Sequence, residues 1–487
     1  MGGLGDGGEV GTQKAEGFYA EGRRERKRYK GINPKSAVLL EEVQGACGGF
    51  AKICGTQSPH AAGSQFQHNG DQNPFIQKRT MKQDFMFTSE SVTEGHPDKL
   101  CDRISDAIVD NFLRKDPYSR VVTECAVATS IVFIAARFDS DAIVDFTKIA
   151  RKVIKQVGYD QPDFSAKTCS IVTSLKELPP SQYRYFDEKK LSDEEIDRIP
   201  VKNQATVFGF ACNQTLALMP LPIWLAHKLA KRLTAVRCQN ILPYLTPDGK
   251  TQVGIEYRDR KPHRIHSITV IASQNQPFNS QGPDLKTLQD DIRATVIDPV
   301  FENEEIQPDD QTKIFINPDG PLIIGGPAAH SGLTGRKNAI DTYGEYSRHS
   351  GAALSGKDPT RIDRIGAYAA RYAAKNVVAA GLADECEVQL SYSIGLAHPV
   401  SVQVETFGTG KISDKEITML LEKCFDFRLA GIIKQFNLRT LPAAIEGGFY
   451  RQLAAYGHVG RTDLGFIPWE ETDKVPILQE LISSPVS

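Results

Sequence analysis

The hexapeptide Glu94-Gly95-His96-Pro97-Asp98-Lys99 sets an imidazole, a carboxylate and an ammonium within one turn of backbone. Ser89-Glu90-Ser91 precedes it, and an apolar-periodic helix over residues 100–112 follows. Chemistry on a phosphate ester asks for these groups together: an imidazole to donate a proton, a carboxylate to hold Mg²⁺ and a lysine to offset phosphate charge. The same residues also describe a solvated helix N-terminus. A second phosphate-binding element has to decide between the two.

Two glycine-punctuated segments late in the chain supply one. Ile324-Gly325-Gly326-Pro327 leads to Gly332-Leu-Thr-Gly-Arg-Lys337, and Ser350-Gly-Ala-Ala-Leu-Ser-Gly-Lys-Asp358 follows. Glycines let backbone N–H groups approach an anion, hydroxyls add donors, and Arg336, Lys337 and Lys357 are three cations able to grip a polyphosphate. The order Gly-x-x-x-x-Gly-Lys-Ser/Thr is absent, so neither segment is a Walker loop. Alone, each reads equally as a turn with solvated charges. Two within thirty residues, with Pro247-Asp-Gly-Lys250 upstream, favour a phosphate site.

The elements that must position these groups repeat. A β-rich run over residues 120–138 precedes a helical stretch at 142–157; strands at 252–257 and 266–273 precede a helix at 285–296; strands at 387–394 and 400–407 precede a helix at 414–425. Each is a β-pair with a helix behind it, which predicts an α+β protein of three related sheet/helix units. Helices then cover one face of each sheet, leaving the other face to pack on a flat partner such as a second subunit. Residues 130–136 are apolar almost throughout and read as a strand buried on both faces. Residues 178–204, poor in apolar side chains, read as a mobile surface segment that either closes over a site or is an insertion.

Composition narrows the class. The 487 residues, 40% hydrophobic and 24% charged, suffice for two to four domain-sized cores. A formal net charge of −2 provides no global field for nucleic acid or an anionic membrane, so phosphate binding must be local. Nine scattered cysteines without a Cys-x-x-Cys pair argue for a reducing compartment and against a disulfide framework or a zinc site. No membrane-length apolar run and no cleavable leader is visible, and a cytoplasmic location is expected. Residues 1–83, Gly-rich with a basic run at 22–30, read as a disordered extension, and Met81 is a plausible alternative start. The expected core spans 84–477, as units of roughly 84–205 with later strands, 206–320 and 321–477, before a tail at 478–487.

Taken together, Ser89-Glu-Ser-Val-Thr-Glu-Gly-His-Pro-Asp-Lys99, Pro247-Asp-Gly-Lys-Thr-Gln-Val253, Gly332-Leu-Thr-Gly-Arg-Lys337, Asp341-Thr-Tyr-Gly344, Ser355-Gly-Lys-Asp358 and Ala454-Ala-Tyr-Gly-His458 closely resemble S-adenosylmethionine synthetase. The resemblance runs from about residue 85 to about residue 474. It implies three related α+β units whose flat sheets pair into a homodimer, often a dimer of dimers, with active sites at the interface. It further implies attack of the L-methionine sulfur on C5′ of ATP, expulsion of triphosphate, and hydrolysis of that triphosphate to phosphate and pyrophosphate.

On this resemblance His96 stabilises the leaving oxygen, and Lys250, Arg336, Lys337 and Lys357 hold the polyphosphate. Glu90, Asp248, His330, Ala353 and Arg361 complete the ATP and substrate contacts. Mg²⁺, two ions per site, sits on Asp98 and Asp363, and K⁺ on Glu124; residues 178–204 occupy the place of a gating loop. The chain also departs from the family pattern. Asn203 and His330 stand where acidic residues are usual, Asn213-Gln214 replaces an acidic pair, Arg137 a methionine-side glutamate, and Pro321-Leu322 an Arg-Phe pair near adenine. These changes cluster on the methionine and adenosine side. Three readings follow: a divergent synthetase, a non-catalytic regulatory relative, and a tripolyphosphatase or adenosyltransferase using another thioether.

Overall fold

The computed structural model describes residues 84–180, 186–275 and 282–483. The expectations for residues 1–83, including the basic run and Met81, lie outside the described residues. Along the first half of the chain run β1 (Phe85–Val92), α1 (Pro97–Lys115), β2 (Arg120–Ala128), β3 (Ile131–Asp139), α2 (Phe146–Val157), β4 (Ser170–Glu177), α3 (Asp193–Ile196), β5 (Ala205–Cys212) and α4 (Leu221–Cys238). Then come β6 (Leu245–Arg258), β7 (Lys261–Gln274), α5 (Leu285–Ile292), α6 (Asp298–Phe301), β8 (Lys313–Ile316), β9 (Gly332–Leu333) and α7 (Asn338–Asp341). The last stretch holds α8 (Ile362–Ala379), β10 (Glu385–Tyr392), β11 (Ser401–Glu405) and α9 (Asp414–Cys424), followed by short helices.

Three sheets result, in the orders β1-β6-β7-β8, β4-β3-β2-β9 and β11-β10-β5. The fold is the expected α+β class. Each sheet joins distant segments: β1 lies antiparallel to β6 with Val92 opposite Lys250, β9 extends β2, and β5 pairs with β10. A central helix backs each sheet on one face: α1 on β2, α4 on β1 and β6, α8 on β5 and β10. Neither α4 nor α8 was foreseen. Helix α8 is buried along nearly its whole length, the charged Asp363, Arg364, Arg371 and Lys375 included, so polarity does not mark its exposed face; α4 is buried at ten of its 18 residues.

Several expectations need correcting. The strands at 252–257 and 266–273 are parts of two 14-residue strands. The helix expected from residue 142 begins at Phe146, because the Asp145 side chain accepts the Lys148 N–H and caps it. The helix at 285–296 stops at Ile292 and passes through a π turn, Arg293–Ile297. Strand β3 is not buried on both faces: Val132 and Ile134 are enclosed, whereas Ile131 and Phe133 are 52% and 41% exposed. Its helices cover one side only, which leaves an apolar open face.

The charged series within residues 178–204 is docked. Glu188, 3% exposed, pairs with Arg439 at 3.0 Å, and Asp193 and Asp197 both reach Arg428. Ile196 and Val201 are buried, and the Val201 N–H donates to the Leu396 carbonyl at 2.9 Å. Charge here serves ion pairing with the C-terminal part of the chain. Residues 181–185 of this stretch lie outside the described residues. Among the described residues no helix is long and apolar enough to cross a membrane.

Candidate active site

Helix α1 organises the site. Its start is fixed by His96 as N-cap, Pro97 in the first turn and Asp98 beside the positive helix end, with Arg114 and Lys115 in the last turn. Four aspartates recur at every fourth residue, Asp98, Asp102, Asp106 and Asp110, and all four are buried. That spacing stacks them on one stripe of the helix. Together they accept backbone N–H groups from three segments: Asp98 from Leu333 at 3.0 Å and Asp102 from Gly335 at 2.8 Å on the first, Asp106 from Gly356 at 2.8 Å on the second, and Asp110 from Phe449, Tyr450 and Arg451 on the third. The stripe is a rail on which the cationic loops are hung.

The loop carrying Arg336 and Lys337 is clamped between this rail and β2. Thr334 donates its N–H to the Cys125 carbonyl, accepts from the Cys125 N–H, and meets the Ser105 hydroxyl at 2.8 Å. Gly332 is required, because a Cβ there would sit 2.2 Å from the Pro97 carbonyl carbon. Lys337 Nζ thereby lies 3.2 Å, and Arg336 Nε 3.7 Å, from the Asp98 carboxylate. Lys99 is not part of this surface. Its ammonium is fully enclosed, 2.9 Å from Asp102 and bonded to Asp341, so it neutralises the interior and cannot offset substrate phosphate.

His96 is 2% exposed. Its Nδ1 accepts the Asp98 N–H at 3.3 Å, which places the ring proton on Nε2. Burial lowers its pKa to about 4, against the opposing pull of Asp248 and Asp98, so the ring is neutral at pH 7. The β1–α1 turn is tied to β6 by Thr93, which donates its hydroxyl to the Pro247 carbonyl at 2.6 Å and its N–H to the Gly249 carbonyl at 3.0 Å. Asp248 is thus brought to the histidine. Burial raises the Asp248 pKa, but hydrogen bonding to His330 with the pull of His96 and the Gly326 N–H more than offsets it. Lys250 projects from β6 with its side chain exposed, and a pocket of about 240 Å³ opens beside it, lined by Asp248, Ile271, Leu322, Ile324 and His330.

A second group gathers further along the same edge of β2. The Thr123 N–H donates to the Gly356 carbonyl at 2.8 Å, and the Val121 N–H to Asp358 at 2.7 Å. Gly356 has φ +80°, and a Cβ there would fall 2.1 Å from the Thr123 carbonyl oxygen. Lys357 then stands 3.6 Å from Asp363, and burial lowers its pKa with Asp363 opposing. The Asn203 amide reaches both Asp363 oxygens at 2.8 Å. Arg361 caps α8 near Asp358. Glu124 is exposed on β2 between the two tethered loops.

The predicted residues therefore fall into two sets. His96, Asp98, Asp248, His330, Arg336 and Lys337 adjoin one another, with Lys250 beside them. Lys357, Asp363 and Arg361 form a separate cluster with Asn203. Ala353 packs beneath Gly335, whose absent Cβ leaves room for it, and Glu90 is half-buried opposite Gln252 on β6. Of the replaced positions, Gln214 bonds Tyr346, Tyr257 and the Leu221 N–H, Asn213 bonds Asp384, and Arg137 is exposed opposite Val122. Sequence reading missed Asp102, Asp106 and Asp110. Their signal was present as an aspartate at every fourth position of α1.

Comparison with known proteins agrees with this architecture. Family models described as the N-terminal, central and C-terminal domains of S-adenosylmethionine synthetase match residues 84–180, 198–322 and 324–471. The chain is 50% identical over 416 residues to an S-adenosylmethionine synthase of Gloeothece citriformis, covering 83% of this chain and 99% of that protein. Similar enzymes of Rippkaea orientalis and Trichodesmium erythraeum are 48% and 49% identical, over 84% and 83% of this chain and 99% and 98% of their own lengths. With all three domains matched in order and relatives of this similarity covered almost end to end, the chain belongs to the S-adenosylmethionine synthetase family.

Proposed function

We propose that the chain is a methionine adenosyltransferase, making S-adenosylmethionine from L-methionine and ATP and cleaving the released triphosphate to phosphate and pyrophosphate. The observation that carries this reading is the approach of Lys337 and Arg336 to Asp98 beside a neutral, buried His96 at the mouth of the Asp248–His330 pocket. Thioether sulfur is a good neutral nucleophile and needs no general base. The barrier lies in charge gathering on the departing triphosphate, so catalysis is mainly electrostatic. His96, with its proton on Nε2, donates a hydrogen bond to the C5′ oxygen as that bond breaks. Lys250, Arg336, Lys337 and Lys357 hold the phosphates, while Glu90, Asp248, His330, Ala353 and Arg361 contact nucleotide and methionine.

The carboxylates of Asp98 and Asp363 are hard oxygen donors, which suits Mg²⁺, and exposed Glu124 suits K⁺. Bound there, two Mg²⁺ ions and one K⁺ would neutralise phosphate charge. Asn203 orients Asp363 for this task, and Lys337 orients Asp98. The open face bearing Ile131, Phe133, Val172 and Leu333, each 41–52% exposed, supports a homodimer or dimer of dimers in which that face meets a second copy. Glu124 shares this face, so the Lys357 and Asp363 set completes the partner's site. A reducing cytoplasmic location suits the free thiols. Incubating purified protein with ATP, Mg²⁺, K⁺ and labelled methionine should yield labelled S-adenosylmethionine; phosphate release from tripolyphosphate without that product would overturn the reading.

A further inference from the structure

His96, Asp248 and His330 present two imidazoles and a carboxylate whose ligand atoms all lie within 4.8 Å of one another. The two rings stand 4.9 Å apart, and His330 Nε2 lies 2.9 Å from Asp248 Oδ2. Asp248 is 5% exposed, and its other oxygen, Oδ1, is buried without a hydrogen-bond partner. A desolvated acceptor left empty costs on the order of 1–3 kcal/mol, so a ligand for it is energetically welcome. The neighbouring pocket, lined by Asp248 and His330 themselves, gives an ion a path from solvent.

We propose that His96, Asp248 and His330 bind a borderline divalent transition ion, Zn²⁺ foremost, at a site distinct from the hard-cation carboxylates Asp98 and Asp363. Imidazole selects zinc, cobalt and nickel over magnesium, and two histidines with one carboxylate leave a fourth position open. The cysteine pattern argued against a zinc site, and this cluster uses no cysteine. His330 is what creates it, because an aspartate at that position would leave one imidazole beside two carboxylates.

Zinc–ligand bonds near 2.0–2.2 Å place tetrahedral donors about 3.4 Å apart, so the cluster must contract by roughly an ångström. Asp248 is pinned by the Gly326 N–H at 2.8 Å, whereas the His330 side chain is 38% exposed and can make that move. Each imidazole gives one lone pair to the ion and keeps its proton on the other nitrogen. For His96 this means either losing the 3.3 Å contact with the Asp98 N–H or changing tautomer. The second, with the ion on Nε2, takes the donor away from the leaving oxygen. Granting the proposed function, an ion bound through Nε2 is then an inhibitor of sulfonium formation.

The test titrates the full chain, in excess Mg²⁺, with Zn²⁺ by calorimetry and with Co²⁺ by visible absorption. Wild type should bind one equivalent at micromolar or tighter affinity, with a cobalt spectrum free of thiolate charge transfer. Asp248→Asn and His330→Gln should each weaken binding at least ~10-fold, as loss of one of three ligands demands, with unchanged far-UV circular dichroism. Absence of binding, a thiolate spectrum, or affinity undiminished in both variants would overturn the proposal. The binding readout needs no turnover, so an inactive protein that still binds zinc in this way refutes the proposed function and leaves the metal site standing.

Discussion

The Gly356 N–H donates to Asp106 at 2.8 Å, and the same carboxylate is held by Arg364 at 2.8 and 3.0 Å, with both charged side chains fully enclosed. One aspartate in the middle of α1 therefore fixes both the loop that carries Lys357 and the helix that carries Asp363. Asp106→Ala strands a buried guanidinium. The expected loss is about 3–5 kcal/mol of stability, measured by denaturant unfolding; a loss below about 1 kcal/mol would show that the pair does not organise this region.

Gly332 packs against the first turn of α1, where a Cβ would meet the Pro97 carbonyl carbon at 2.2 Å. Gly332→Ala must push the loop outward and carry Arg336 and Lys337 away from Asp98. A misplacement of about an ångström is worth on the order of 100-fold, so kcat/KM for ATP should fall by that order while the fold persists. Steady-state kinetics with circular dichroism as control measures it, and unchanged kinetics would detach the loop from catalysis.

How legible was this in the sequence? The hexapeptide at 94–99 and the cationic loops were readable because glycine, lysine and proline in fixed order constrain backbone and charge locally. The role of Lys99 was not, since its neighbours Asp102 and Asp341 lie on elements that meet only in the fold. Strand β3 shows the same limit. A run such as Ile131-Val-Phe-Ile134 says that both faces are apolar and not what covers each, and one face proved open. The docked charges of residues 186–204 looked solvent-bound for a similar reason: Arg428 and Arg439 arrive from over two hundred residues away.

The open face of β3 sets a third expectation. Phe133→Asp places a charge amid Ile131, Val172 and Leu333 without entering the core. Light scattering should find the wild type as a dimer or larger and the variant as a monomer with intact circular dichroism. Retention of the wild-type mass would remove this face from the interface.

His227, buried with Ser91 at 2.8 Å from Nδ1, has its pKa lowered to about 3 by burial, with Arg461 and Lys99 pushing the same way. Between about pH 3 and 6.5 the unfolded chain carries a proton here that the folded chain refuses, so stability rises with pH across that window and is lost as pH falls through it. The contribution between pH 6.5 and 5 is about 2 kcal/mol. His227→Gln should flatten the pH dependence of unfolding by about one proton. His458, also lowered by burial, preserves part of the slope.

The central claim is that His96 serves the breaking C5′–oxygen bond while the cations grip the triphosphate. Rapid-quench kinetics on wild type and His96→Ala, following sulfonium formation from ATP and methionine alongside cleavage of added tripolyphosphate, test it most directly. The account predicts a loss of at least about 100-fold in sulfonium formation, the scale of one general-acid or oxyanion contact, with tripolyphosphate cleavage reduced far less. Equal loss in both steps, or an unchanged rate of sulfonium formation, would contradict it.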